Sequence, residues 1–217
     1  MRIKLRSDAP YLKLPLEKIN ALPKNKTYKL LDVGAGPKHL KSFLPKNVRY
    51  HSLDYGGVHD YLIDLDKSKI PVKSGTYDII VCFETLEHTL YPKKVLAELL
   101  RIAKKDAIFF LSMPNEYNFY CRLNFLFERK TFIQEPFEIA EKHLHIHYPR
   151  VKDIIVLFSK YFKILKVDYN WYSRTGSNSK SFRGKLSLFM DKIINSLIIL
   201  SPSLFARNVM VYGVKKQ

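Results

Sequence analysis

Three groups of residues in this chain have the types and the spacing to do chemistry. The first is Leu30-Leu31-Asp32-Val33-Gly34-Ala35-Gly36-Pro37-Lys38, an apolar run that ends in an acid and two glycines. Glycines at a strand-to-helix turn let the backbone pass close to a ligand where a Cβ would collide. A second acid, Asp54, lies 22 positions after Asp32 and closes another apolar run, the distance at which a β-α-β unit sets a carboxylate over a ribose diol. The second group is Glu84-Thr85-Leu86-Glu87-His88. On a helical turn, positions 84, 87 and 88 stand at i, i+3 and i+4, so both carboxylates and the imidazole are expected on one face. The third is Lys142-His143-Leu144-His145-Ile146-His147, where an extended backbone would turn His143, His145 and His147 the same way. Two carboxylates and an imidazole on one face can pass a proton to or from a bound ligand near neutral pH, work that imidazole suits. His88, Glu87 and His145 are therefore the candidate catalytic groups. The plain alternative is structural, since single histidines more often sit in cores or cap helices.

Such groups need a scaffold, and the chain predicts one. Tyr28 to Val33 reads as a short apolar strand ending in glycine, followed by helix-compatible KHLKSFL and a second strand, VRYHSLD. DYLIDL is a short third. YDIIVCF and DAIFFLSMP are continuous apolar runs of the kind that parallel strands buried on both faces require. Between them KKVLAELLRIA carries apolar residues at helical spacing behind Pro92. VKDIIVLFSKYF reads as an amphipathic helix, KILKVDYNWY as a strand and NVMVYGVKK as a closing strand. Strand and helix in alternation predict an α/β fold, a doubly wound, mostly parallel sheet with helices on both faces.

Composition narrows the class. Of 217 residues, 47% are hydrophobic and 26% charged, with only two cysteines, Cys82 and Cys121, so neither a disordered chain nor a disulfide scaffold fits. The first residues lack an apolar h-region, and Leu186 to Leu200 is interrupted by Asp191, Lys192 and Asn195, which excludes a spanning helix there. A cytoplasmic location is the expectation. The formal net charge is +17, and it is uneven: residues 30–115 carry +2, whereas residues 1–29 and 183–217 carry +6 and +5. A basic surface attracts phosphate, nucleic acid or anionic lipid, although 27 Lys against 10 Arg leans towards plain solvation.

The position three after Gly36 is His39, where a dinucleotide fingerprint requires glycine, so nicotinamide and flavin are disfavoured. As a set, DVGAG, Asp54, Asp64-Leu65, YDIIVCFETLEH and the run from Lys93 to Asn115 resemble the class I S-adenosylmethionine-dependent methyltransferases, over roughly residues 28–115. The resemblance implies a Rossmann-like seven-stranded sheet, S-adenosylmethionine as cofactor, and one domain over residues 1–217. In it, residues 1–27 would be an N-terminal arm, 28–115 the cofactor-binding half, and 116–150 and 172–206 substrate-side insertions. It further implies that Asp32 helps hold the cofactor's amino group, Gly34 and Gly36 pass beneath it, and Asp54 accepts from the ribose. Asp64 would meet the adenine with Leu65 beside the ring, and Phe83 would line the sulfonium end. The sequence departs from the family where Lys38 replaces a frequent third glycine.

A weaker similarity links Glu-x-x-Glu-His to metal-assisted O-methyltransferases of the ubiquinone pathway and of small-RNA 3′ ends. There such a turn and a later histidine hold a divalent cation; here the set would be Glu84, Glu87, His88 and His145, suited to Mg²⁺ or Mn²⁺. Pro114-Asn115-Glu116-Tyr117-Asn118 is similar to the RNA enzymes, but their Phe-Glu-Trp is absent after His147, so metal is the minority reading. The leading acceptor is a small molecule, a glycan or a lipid-linked group, with peripheral membrane contact through the face of Leu186, Phe189, Met190, Ile193, Leu197 and Leu200. The alternative is an RNA 2′-hydroxyl.

Overall fold

In a computed structural model, residues 10–127, 144–172 and 182–216 are described. Among them, seven strands form one sheet: β1 (Tyr28–Val33), β2 (Val48–Asp54), β3 (Tyr61–Leu62), β4 (Tyr77–Phe83), β5 (Ala103–Pro114), β6 (Phe162–Asn170) and β7 (Asn208–Lys215). Their spatial order is β3-β2-β1-β4-β5-β7-β6. The strands from β1 to β5 are parallel, and β7 is inserted antiparallel between β5 and β6. This is the doubly wound, mostly parallel architecture expected from the strand pattern. The order reverses between β1 and β4, so a crevice opens beyond the carboxyl ends of these two strands, where open α/β sheets bind ligands.

Alternation along the strands explains why both faces are covered. Leu30, Ile79, Val81 and Phe110 point to one side, where they meet Leu12 and Ile19 of helix α1 (Pro10–Asn20). Leu31, Ile80, Cys82 and Phe109 point to the other, against Val95 and Leu99 of α2 (Pro92–Ile102). Ile154 and Phe158 of α4 (Val151–Tyr161) pack on the same side, and α3 (Phe119–Leu126) follows β5 in the chain. Within the stretch expected as an N-terminal arm, residues 10–20 are thus a helix whose apolar side packs on one face of the sheet. The remaining helices are α5 (Phe182–Leu197) and α6 (Pro202–Phe205).

The segment KHLKSFL departs from its helical expectation. It forms only a 3-10 turn, His39–Phe43, entered through Lys38 at φ 58°. Pro37 and Pro45 bracket a window of seven residues, too short for an α-helix to repay its nucleation. The glycine loop is therefore followed by a low turn. Parts of the two expected insertions, residues 128–143 and 173–181, fall outside the described residues, and so does His143. No helix among the described residues is long and apolar enough to cross a membrane.

Candidate active site

The loop after β1 is shaped by its glycines and by two acids. Gly34 has φ 67°, and a Cβ there would collide with the Thr85 side chain. The Thr85 hydroxyl is placed to donate to the Val33 carbonyl at 3.1 Å and the Phe83 carbonyl at 2.9 Å, so it links the ends of β1 and β4. Gly36, at φ 44°, has open space where its Cβ would stand, and its N–H donates to Asp54 Oδ2 at 2.8 Å. Asp54 also accepts from the Tyr55 N–H at 2.7 Å. The acid that ends β2 thereby holds the glycine loop from across the crevice.

Asp32 is buried at the end of β1 and accepts a 2.7 Å hydrogen bond from the Tyr50 hydroxyl. Burial pushes its carboxyl up from 3.8 to about 7; the Tyr50 bond opposes the rise and the charge of Asp54 adds to it. Two cavities flank this loop. The larger, about 580 Å³, is bordered by Asp54, Asp64, Leu65, His88 and Ile146. The smaller, about 390 Å³, is bordered by Asp32, Gly36, Phe83, Tyr11 and Tyr172. Gly34 and Glu84 line both. Asp64 is held below the usual carboxylate range by its bond to the Lys67 ammonium at 2.9 Å. Its neighbour Asp66 accepts from the N–H groups of Leu90 and Tyr91 and so fastens this loop to the start of α2.

The Glu, Glu, His stretch does not form one helical face. Only Leu86–His88 is helical, as a 3-10 turn, and Glu84 stands at φ 45°. The left-handed conformation turns Glu84 away, and its Oε1 accepts from Tyr172 OH at 2.6 Å and Asn208 Nδ2 at 2.7 Å. The expected grouping of Glu84 with Glu87 and His88 is corrected by that conformation, which no residue type signals.

Glu87, His88 and His145 do come together, each offering a ligand atom within 4.8 Å of the others. His88 Nε2 is 3.9 Å and His145 Nε2 is 4.0 Å from Glu87 Oε1. The two rings meet edge to face with centroids 4.7 Å apart. Glu87 is fully buried, and neither of its carboxylate oxygens has a hydrogen-bond partner on another described residue. Burial pushes its carboxyl well above the usual range; its own backbone N–H opposes the rise, and the negative charges of Glu84 and Glu116 add to it. A buried carboxylate without a donor is costly unless a cation or a proton answers it.

The strand of chain bearing the histidines is pinned to this turn: the N–H groups of Ile146 and His147 donate to the Glu87 carbonyl at 2.8 and 3.2 Å. His147 is bound elsewhere, its Nε2 2.9 Å from the Thr89 carbonyl, and stands outside the cluster. His145 Nδ1 lies 2.6 Å from Glu116 Oε1. A carboxylate only accepts, so Nδ1 is the donor in this bond and Nε2 is the ring nitrogen that faces Glu87 and His88. Glu116 is a residue of the site that the sequence pattern alone does not single out. Asn115 Nδ2 donates to the Ser203 and Ala206 carbonyls, and Asn118 caps α3 by accepting from the Cys121 N–H, so the amides on either side fix Glu116 in place. Two asparagines bracketing an acid just past a buried strand were the available signal.

Comparison with known proteins bears on this geometry. A family model described as a methyltransferase domain matches residues 6–163. The ubiquinone biosynthesis O-methyltransferase of Pectobacterium atrosepticum is 31% identical over 85 residues, 39% of this chain and 32% of that protein. Its namesake from Photobacterium profundum is 33% identical over 67 residues, 31% of this chain and 28% of that one. The chain thus spans about a third of the length of the curated relatives it matches. Among solved structures, a SAM-dependent methyltransferase from Archaeoglobus fulgidus superposes with TM-score 0.59 at 14% identity, covering 95% of this chain and 92% of that one. An S-adenosylmethionine-dependent methyltransferase from Mesorhizobium loti gives 0.58 at 12%, covering 96% and 99%. With the matched model extending over residues 6–163, most of the chain, and a seven-stranded, mostly parallel sheet beneath it, this chain belongs to the methyltransferase-domain family, of the class I S-adenosylmethionine-dependent type.

Proposed function

We propose that the chain is an S-adenosylmethionine-dependent O-methyltransferase whose acceptor is a hydroxyl of a small or lipid-linked molecule, and that Glu87, His88 and His145 form the place where that hydroxyl is received around a divalent cation. The observation that carries this reading is the buried Glu87 carboxyl, with no hydrogen-bond partner on another residue among the described residues and two imidazole Nε2 atoms about equally far from it. The names of the two curated relatives, both O-methyltransferases, support a hydroxyl acceptor.

The residues fit the cofactor. Asp32 is a buried anion suited to the ammonium of the methionine end, Asp54 to the ribose diol, Asp64 with Leu65 to the adenine, and Phe83 to the sulfonium end. They fit a cation as well: Glu87 is a buried carboxyl with no hydrogen-bond partner on another described residue, and the Glu116 bond fixes the His145 ring with Nε2 facing it. Because Glu84 is turned aside, the donor set is two nitrogens and one carboxylate, which moves the preference from Mg²⁺ towards Mn²⁺ or Zn²⁺. The cofactor supplies an electrophilic methyl, and a cation at the cluster supplies Lewis acidity that eases loss of the acceptor proton. The chain's own contribution is alignment and exclusion of water in the crevice. His88 is then a ligand rather than a solitary base.

The charge of +17 favours a second reading, an RNA 2′-hydroxyl acceptor. Methylation with labelled cofactor against total RNA, lipid extract and small metabolites separates the two. Label is expected in lipid extract or metabolites, to be abolished by chelation and restored by Mn²⁺; label confined to RNA overturns the acceptor. Calorimetric titration of Mn²⁺ is expected to lose its signal in Glu87→Gln and His145→Ala, and an unchanged signal in both overturns the metal.

A further inference from the structure

Two helices beside the crevice present apolar side chains outward. In α5, Phe182, Leu186, Phe189 and Ile193 follow each other at i, i+4, i+7 and i+11, which is one stripe along the helix. All four are exposed, Phe182 to 80%, and Ile199 and Leu200 just beyond the helix are 87% and 75% exposed. The opposite side of α5 is the one that packs: Ile194 and Ile198 are buried against Trp171 and Ala206. In α3, Leu123 and Leu126 are likewise exposed while Cys121 and Asn124 face inward. Phe119 of α3 stacks on Trp171 with centroids 5.2 Å apart, so both helices are anchored on the same small cluster.

Charge tells what such a surface suits. Lys185 and Lys192 are exposed and project from the side of α5 adjacent to the apolar stripe. Its one acid, Asp191, lies across the helix and accepts from the Trp171 indole at 3.1 Å. Helix α3 contains no acid and bears Arg122 on its exposed side. A second copy is a poor occupant, because each chain would bring a net charge of +17 to the contact. Nucleic acid would answer the lysines but not the aliphatic stripe. We propose that the outward faces of α3 and α5 dock on an anionic lipid bilayer, the stripes entering the headgroup boundary and the lysines meeting lipid phosphates.

The position of the surface gives the contact a use. Trp171 is held to α5 through Asn195, and the next residue, Tyr172, donates to Glu84 between the two cavities. Helix α3 begins three residues after Glu116, which orients His145. A bilayer bound there would lie beside the acceptor side of the crevice. The inference rests on the surface alone and stands whether or not the acceptor proposed above is the true one.

The test is flotation of the full chain with vesicles of phosphatidylcholine containing about one-third phosphatidylglycerol, and with phosphatidylcholine alone. The chain is expected to float with the anionic vesicles and to partition at least about fivefold less onto the neutral ones. Leu186→Ser/Phe189→Ser and Lys185→Glu/Lys192→Glu are each expected to lower partition about tenfold while keeping wild-type cofactor affinity and melting temperature. Absence of flotation, equal partition of the variants, or a concentration-dependent dimer that Leu186→Ser/Phe189→Ser dissociates would overturn the proposal.

Discussion

The buried carboxyl of Asp32 lowers the stability of the ligand-free fold. Raised from 3.8 to about 7 chiefly by burial, its ionised form costs the free protein on the order of 4 kcal/mol relative to the unfolded chain. Between these two values the folded state holds a proton that the unfolded state has released. This residue therefore makes the ligand-free fold less stable as pH rises from about 4 to about 7, and the loss is complete above that. A cationic ligand reverses the balance, because an ammonium beside the carboxylate favours its ionised form. Two outcomes are expected. Cofactor affinity, measured by calorimetry, falls as pH drops below about 7, approaching tenfold for each pH unit. Asp32→Asn, which can still accept from Tyr50, melts higher than the parent at pH 8 and binds the cofactor at least about a hundredfold more weakly. A variant that melts lower and binds as before would place the ammonium elsewhere.

At the scale of elements, the loop between β1 and the 3-10 turn contains two glycines with different jobs. Gly34 is required by space as well as by φ, since Thr85 occupies the position a Cβ would take and is itself bonded to two strand ends. Gly36 is required by φ alone. Gly34→Ala is expected to cost roughly 2–3 kcal/mol in urea unfolding, by displacing Thr85 and straining the backbone. Gly36→Ala should cost about 1 kcal/mol and act mainly on cofactor affinity, through the N–H that Asp54 accepts. Equal losses would mean that Thr85 yields freely. The same elements show where the sequence was readable. The strands were, because burial on both faces demands uninterrupted apolar runs such as YDIIVCF. The acids ending β1 and β2 were, because strand ends fix their place. The pattern of KHLKSFL alone suggests a helix after Pro37, and only the seven-residue window that Pro37 and Pro45 leave limits it to a turn. The Glu116–His145 pair, 29 residues apart, was not readable, because their meeting depends on the path of a loop rather than on any local period.

Charge is uneven over the whole molecule. Residues 30–115 are close to balanced at +2, whereas residues 1–29 and 183–217 carry +6 and +5, most of the +17. Like charges spread over one folded surface repel, and folding brings them closer than the extended chain does. Salt should therefore stabilise this protein. Between 20 and 300 mM NaCl the screening length falls from about 20 Å to about 6 Å, which removes repulsion between distant lysines but reaches less into a buried pair. Thermal unfolding is expected to move up by about 3–6 °C over that range, while the cofactor dissociation constant changes less than about threefold. The asymmetry is the informative part. If cofactor affinity fell as steeply as the melting temperature rose, the long-range field of the basic segments would be acting on the crevice itself. If affinity held constant, the field would be reserved for what approaches the protein from outside, and the segments that carry it would be free to change without altering the chemistry at β1 and β4.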